Sequence, residues 1–174
     1  DRLRRRTAAV ETALTRAVAG GHVAVVRLLL DAGAKADVQG ASGEPVLQMA
    51  ARVGRTDLTG LLLKAGARDS RSGPEQTSAA ILVVRLGFPD VLSQLIRSGA
   101  DPGQADAGGT TLLCHAAWQG DEASVLILLA AGAAPDSRTS DGNTAAHIAA
   151  ARNKVPCAFS CRATRPSTCE MVVA

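Results

Sequence analysis

Apolar and polar positions fall in blocks along this chain, and the blocks recur. A run rich in leucine and valine reads Val25-Val26-Arg27-Leu28-Leu29-Leu30, returns as Val125-Leu126-Ile127-Leu128-Leu129, and has counterparts at Leu58 to Leu63 and Val91 to Ile96. Apolar residues at i, i+3 and i+4 mark one face of a helix, so each run predicts a helix, closed by a Gly-Ala pair. A second block appears as Thr12-Ala13-Leu14-Thr15-Arg16-Ala17, Thr111-Leu112-Leu113-Cys114-His115-Ala116 and Thr144-Ala145-Ala146-His147-Ile148-Ala149. Its threonine stands where a helix should start, because the hydroxyl accepts a hydrogen bond from a first-turn N–H that has no partner inside the helix. In the first two of these, a glycine nine residues on supplies the positive φ that ends the helix at little cost. This block predicts a helix of about two turns.

The glycines set the spacing. Gly21, Gly54, Gly87 and Gly120 follow one another at 33-residue steps, and Gly33, Gly66, Gly99 and Gly132 repeat the step twelve residues behind. A period of that length means stacked units, each too small to bury its own apolar face. Each unit is then a helix hairpin, and the polar, glycine-rich stretches between units, such as Ser70 to Gln76 and Asp101 to Thr110, read as turns projecting from it. Small residues at Ala17, Ala50, Ala116 and Ala149 would let adjacent helices pack closely.

On these residues the chain resembles an ankyrin-repeat protein, with its 33-residue period and T-P-L-H-x-A signature. The register places repeats at 7–39, 40–72, 73–105 and 106–138, with an incomplete fifth from 139. The fourth copy, with Asp106-Ala107-Gly108-Gly109-Thr110-Thr111, and the start of the fifth, with Asp141-Gly142-Asn143-Thr144, follow the pattern best. The second has Pro45 for the signature threonine. In the third, Ser78-Ala79-Ala80-Ile81 stand in for the signature and Val83-Val84 replace the small pair. The fold expected is an all-α ankyrin-repeat solenoid of stacked helix-turn-helix units with projecting β-turn loops, spanning residues 7–153. Residues 1–6 form a basic extension, and 154–174 a degenerate tail.

Composition fits that expectation. Apolar residues make up 47% of the 174, with one tryptophan, two phenylalanines and no tyrosine, which suits narrow gaps filled by Ala, Leu and Val. A net charge of +3 is too mild to neutralise a run of phosphates, so nucleic acid is not an expected partner. The longest apolar stretch, Val125 to Ala134, falls well short of the roughly 18 residues a membrane span needs, and no secretory signal opens the chain. The start at Asp1 instead of methionine suggests a piece of something longer. Arg2, Arg4, Arg5 and Arg6 read as a solvated terminus, with a nuclear address as the alternative. The localisation expected is cytoplasmic, the nucleus being the second choice.

No cofactor, metal or small-molecule substrate is expected. Cys114 occupies the signature histidine position and reads as buried structure. Cys157, Cys161 and Cys169 with His147 make four candidate zinc ligands, but their spacing matches no usual paired-cysteine pattern. Without a secretory signal, disulfides are not expected either. Around them Pro156 would interrupt a helix by about 3 kcal/mol, and the leucine run of a fifth second helix is missing. His22, His115 and His147 have no nucleophile and carboxylate at a recommending spacing, and no phosphate-binding glycine motif is present, so no catalysis is expected.

What the resemblance implies is protein binding on a concave surface. Partners of the family usually touch the residue before the signature threonine and the two before the first glycine. By register these places hold Glu11, Ala19 and Gly20; Glu44, Arg52 and Val53; Thr77, Arg85 and Leu86; Thr110, Trp118 and Gln119; and Asn143, Ala151 and Arg152, while Ser42, Glu75, Ala107 and Asp141 mark the turn tips. Trp118 is singled out as a binding hot spot, the alternative being partly buried packing. Arg52, Arg85 and Arg152 are read as either a basic ladder for an acidic peptide or a solvated face. The function expected is a noncatalytic protein-interaction module. Two alternatives stay open: a regulatory or targeting segment of a larger protein whose catalytic or membrane part lies elsewhere, and a decayed copy without a selected partner.

Overall fold

The computed structural model describes residues 12–69 and 77–152. Within them the apolar runs fold as nine helices of seven to nine residues, in two compact units, Asp1–Ala100 and Asp101–Ala174. The first unit holds α1 (Ala13–Ala19), α2 (Val23–Asp31), α3 (Val46–Val53), α4 (Thr56–Lys64), α5 (Ala79–Leu86) and α6 (Pro89–Arg97). The second holds α7 (Leu112–Gln119), α8 (Glu122–Ala130) and α9 (Ala145–Ala151). Helices this short are marginal in water by themselves, so their ends and their packing must hold them.

The ends are built as the repeat pattern requires. Thr12, Ser78, Thr111 and Thr144 cap α1, α5, α7 and α9, each hydroxyl oxygen accepting from the N–H three residues on. Pro45 begins α3 without such a bond. Asp69 adds support at α5, its carboxylate accepting from the N–H groups of Ala79 at 2.7 Å and Ala80 at 3.3 Å. Both glycine series lie at positive φ, from 69° at Gly21 to 100° at Gly99. At Gly54 (φ 72°) glycine is required twice over, because an added Cβ would stand 2.6 Å from Cζ of Phe88.

Within the first unit, α1 packs on α3 and α3 on α5, while α2 packs on α4 and α4 on α6. Each helix pair thereby buries the face of the next. Leu58, Leu62, Leu92 and Leu95 are fully buried along the second helices, and Ala50, Ala51, Val83 and Val84 along the first. The small residues Ala17, Ala50, Ala116 and Ala149 are all interior, and the third repeat accommodates valine in the same layer. In the second unit α7 packs on both α8 and α9, with Leu112, Ala116, Val125 and Leu128 fully buried.

The signature histidine position changes chemistry from copy to copy. Thr15 donates its hydroxyl to the Thr12 carbonyl, Ile81 and Cys114 are buried, and His147 reaches back to Thr144 through Nδ1, 2.7 Å from the hydroxyl. Gln48 does something different: its side-chain amide donates to the Thr77 carbonyl at the start of the next helix pair.

The connections between pairs are hairpin turns. Val46 N–H donates to Val38 and Gly40 N–H to Glu44, and the same ladder recurs from Leu112 to Gln104 and from Asp106 to Thr110. Isolated bridges join Gln39 with Pro45, Ala105 with Thr111 and Arg138 with Thr144. The turn expected at Ser70 to Gln76 lies outside the described residues, as do the basic extension and the tail with Cys157, Cys161 and Cys169.

Candidate protein-binding surface

The last turns of the first helices and the hairpin tips carry the residues expected to meet a partner. Among the described residues, six large apolar side chains are exposed, and three of them, Val53 (39%), Leu86 (47%) and Trp118 (56%), stand in the last turns of α3, α5 and α7. They lie on the exposed side of those turns, whose other side, with Ala50, Ala51, Val83, Val84, Ala116 and Ala117, is fully buried. Ala19, Gly20 and Ala151 are exposed at the same helix ends.

The charged residues are arranged less uniformly than expected. Arg52 is 2.7 Å from the Glu44 carboxylate, so the helix-side cation and finger-side anion of repeat two neutralise each other. Both members keep solvent contact, and pairs of this kind contribute at most about 1 kcal/mol. Arg85 is exposed on α5. Arg152 does not continue the series. The 33-residue step from Arg52 through Arg85 arrives at Trp118, whereas Arg152 shares its register with Val53 and Leu86. It lies over the Trp118 ring, with its guanidinium carbon 4.1 Å from the centroid, and its Nη1 donates to the Trp118 carbonyl at 3.1 Å. A ladder of three equivalent arginines is therefore absent, since one of its members is stacked and another is paired.

Thr77 also departs from the expected place. It is only 6% exposed, and its carbonyl is held by Gln48, so its side chain has little surface to offer. Thr110 is half-buried and closes its hairpin, donating its N–H to Asp106 Oδ1 at 2.9 Å. Gln119, Asp141 and Asn143 are exposed, with the Asn143 carbonyl accepting from Thr139 N–H. Ser42 and Ala107 are exposed at their turn tips, while Glu11 and Glu75 lie outside the described residues.

One polar cluster was not legible in the spacing. Asp106 accepts from the N–H groups of Gly108 and Thr110 through Oδ1, and its Oδ2 is 2.9 Å from His115 Nε2. Partial burial works to raise the Asp106 carboxyl, but these N–H groups and His115 outweigh it and hold the group below the ordinary value of 3.8. The opposite balance holds at Asp69, which burial pushes up despite the N–H groups of Ala79 and Ala80. Asp57, at the surface, is lowered by its hydrogen bond from Arg55. No group of three or more His, Cys, Asp or Glu side chains positioned to hold a metal ion occurs among the described residues, and no described helix is long and apolar enough to cross a membrane.

Helix pairs stacked in register and joined by hairpin turns, with an exposed edge of alternating chemistry, define an all-α repeat protein. Family models agree: ankyrin repeats (3 copies) match residues 78–159, and ankyrin repeats (many copies) match residues 14–63. The chain belongs to the ankyrin-repeat family, whose repeats generally mediate protein–protein interaction. No curated protein matches the sequence.

Proposed function

We propose that this chain is a noncatalytic protein-interaction module that binds a partner protein through the concave ankyrin surface. One observation carries the reading: Val53, Leu86 and Trp118 are exposed at the equivalent ends of three successive first helices, where a monomer gains nothing by displaying them. Apolar and aromatic side chains left in water in the last turns of these helices are the raw material of interface hot spots. The residues proposed with them by register are Glu11, Glu44, Arg52, Arg85, Thr110, Gln119, Asp141, Asn143 and Arg152; Thr77, buried and with its carbonyl held by Gln48, drops out. The compartment that suits a partner of this kind is the cytoplasm.

Affinity capture from source-cell lysate tests the reading, run with wild type beside Trp118→Ala after circular dichroism shows both equally helical. Proteins retained by wild type and lost from the variant support binding at this face. Identical retention by both would move the binding site elsewhere.

A second reading, a regulatory or targeting segment within a larger protein, has its own supporting observation. Val25 (46% exposed) and Leu28 (69%) lie open on α2, whereas Leu58 and Val91, at the register of Val25, are buried by the preceding helix pair. A further packed element in front of α2 would bury Val25 and Leu28 in the same way.

A further inference from the structure

We infer that Trp118 and Arg152 form one composite anchor, which takes a single carboxylate flanked by apolar side chains in the partner; this rests on the protein-binding reading above. The carboxylate would sit on the guanidinium, and the neighbouring apolar side chain on the exposed part of the indole.

Three observations lead there. First, Arg152 is held in place. It caps the C-terminus of α9, lies over the ring of Trp118 in the last turn of α7, and spends one N–H on the Trp118 carbonyl. A guanidinium has five N–H donors, so among the described residues most of its fork is uncommitted while its rotamer freedom is already reduced. Binding to a side chain ordered beforehand costs less entropy.

Second, no carboxylate among the described residues cancels its charge. Arg52 pairs with Glu44 at 2.7 Å and Arg55 with Asp57 at 2.8 Å, but Arg152 has no carboxylate partner among the described residues. Neither α7 nor α9 contains an Asp or Glu, and Asp106 is already engaged by His115. A flat, stacked guanidinium binds a carboxylate through two parallel N–H bonds, which a lysine cannot reproduce.

Third, the wider charge restricts the ligand. From residue 101 to 152 the chain has six carboxylates and only two arginines, Arg138 and Arg152. The other one, Arg138, donates to the Gly142 carbonyl. A nucleic acid strand or a long acidic tract would be repelled by that surplus, since either needs several cations in series. One carboxylate beside apolar neighbours meets the local cation and the exposed 56% of Trp118 without that penalty.

A random dodecapeptide library displayed on phage, panned against the full chain, provides the test. Selected peptides are synthesised and titrated while the fluorescence of Trp118, the sole tryptophan, is followed. The expected peptides share an Asp or Glu beside an aliphatic or aromatic residue and shift the Trp118 emission. Arg152→Gln should weaken them about tenfold, a step of about 1.4 kcal/mol. Arg152→Lys should recover only part of the loss, and amidating the peptide carboxylate should cost wild type the same factor and Arg152→Gln nothing further. Trp118→Phe, which keeps a ring at the site and is titrated by calorimetry because it lacks the fluorophore, guards against misreading a folding defect.

Binding that needs Trp118 but ignores Arg152→Gln would overturn the anchor and leave the concave-surface reading standing. Peptides indifferent to both residues, or no enrichment at all, would overturn the anchor and count against that face as the binding site. Quenching by oligothymidylate tighter than by any selected peptide would overturn the choice of ligand.

Discussion

Gly54→Ala tests the packing between successive helix pairs at one atom. The substitution forces alanine to φ 72°, a left-handed conformation costing an L-residue about 1–2 kcal/mol. It also places Cβ 2.6 Å from Cζ and 2.8 Å from both Cε atoms of Phe88, the residue preceding α6. Forcing a carbon into a filled space typically costs about 1–3 kcal/mol. The sum is about 2–5 kcal/mol. Gly87 supplies an internal control, because it occupies the same register at φ 75° with nothing within 4 Å of an added Cβ. Gly87→Ala should therefore lose only the backbone part, about 1–2 kcal/mol. Urea unfolding followed by circular dichroism at 222 nm measures both, and the Gly54→Ala/Phe88→Ala double variant completes a cycle whose coupling term isolates the ring contact. Equal losses for the two alanine variants, or strict additivity with Phe88→Ala, would refute the claim that Phe88 demands glycine beneath it.

Three further outcomes follow from the same geometry. Gln48→Leu leaves the Thr77 carbonyl without its buried side-chain donor and should lower stability by about 1–3 kcal/mol in the same urea assay. An unchanged midpoint would mean another donor takes over. Thr111→Ala removes the cap that accepts from Cys114 N–H and should cost about 1 kcal/mol, read as a shift in the thermal midpoint. Asp106→Asn addresses pH: the folded protein holds this carboxyl below 3.8, so the unfolded chain takes up the proton first as the solution is acidified. The stabilisation is present above pH 3.8 and disappears as pH falls through the lower folded value; the variant should be weaker at pH 7 and lose less than wild type on going to pH 3. Parallel pH profiles for the two proteins would contradict this.

Much of the architecture could be read from the sequence because its rules act over a few residues. A hydroxyl at Thr12, Thr111 or Thr144 reaches an N–H three residues away, and Gly54 or Gly87 ends a helix by its own backbone angle. Those requirements recur at a fixed period whatever lies beside them, so helices, turns and the buried alanine layer were all visible as spacing. The chemistry of the exposed edge was decided elsewhere. Gln48 meets Thr77 across 29 residues and Arg152 meets Trp118 across 34, distances along the chain that only stacking closes. Register alone placed Thr77 at the surface and grouped Arg152 with Arg52 and Arg85. Packing buried the first, laid Arg152 on an indole, and paired Arg52 with Glu44. By itself, the sequence determined where the capped and glycine-ended helices begin and end, since those choices are made by local hydrogen bonds and backbone sterics. Tertiary structure alone decided which side chains are spent within the protein and which stay available to a partner, because that depends on what each neighbouring helix brings within reach.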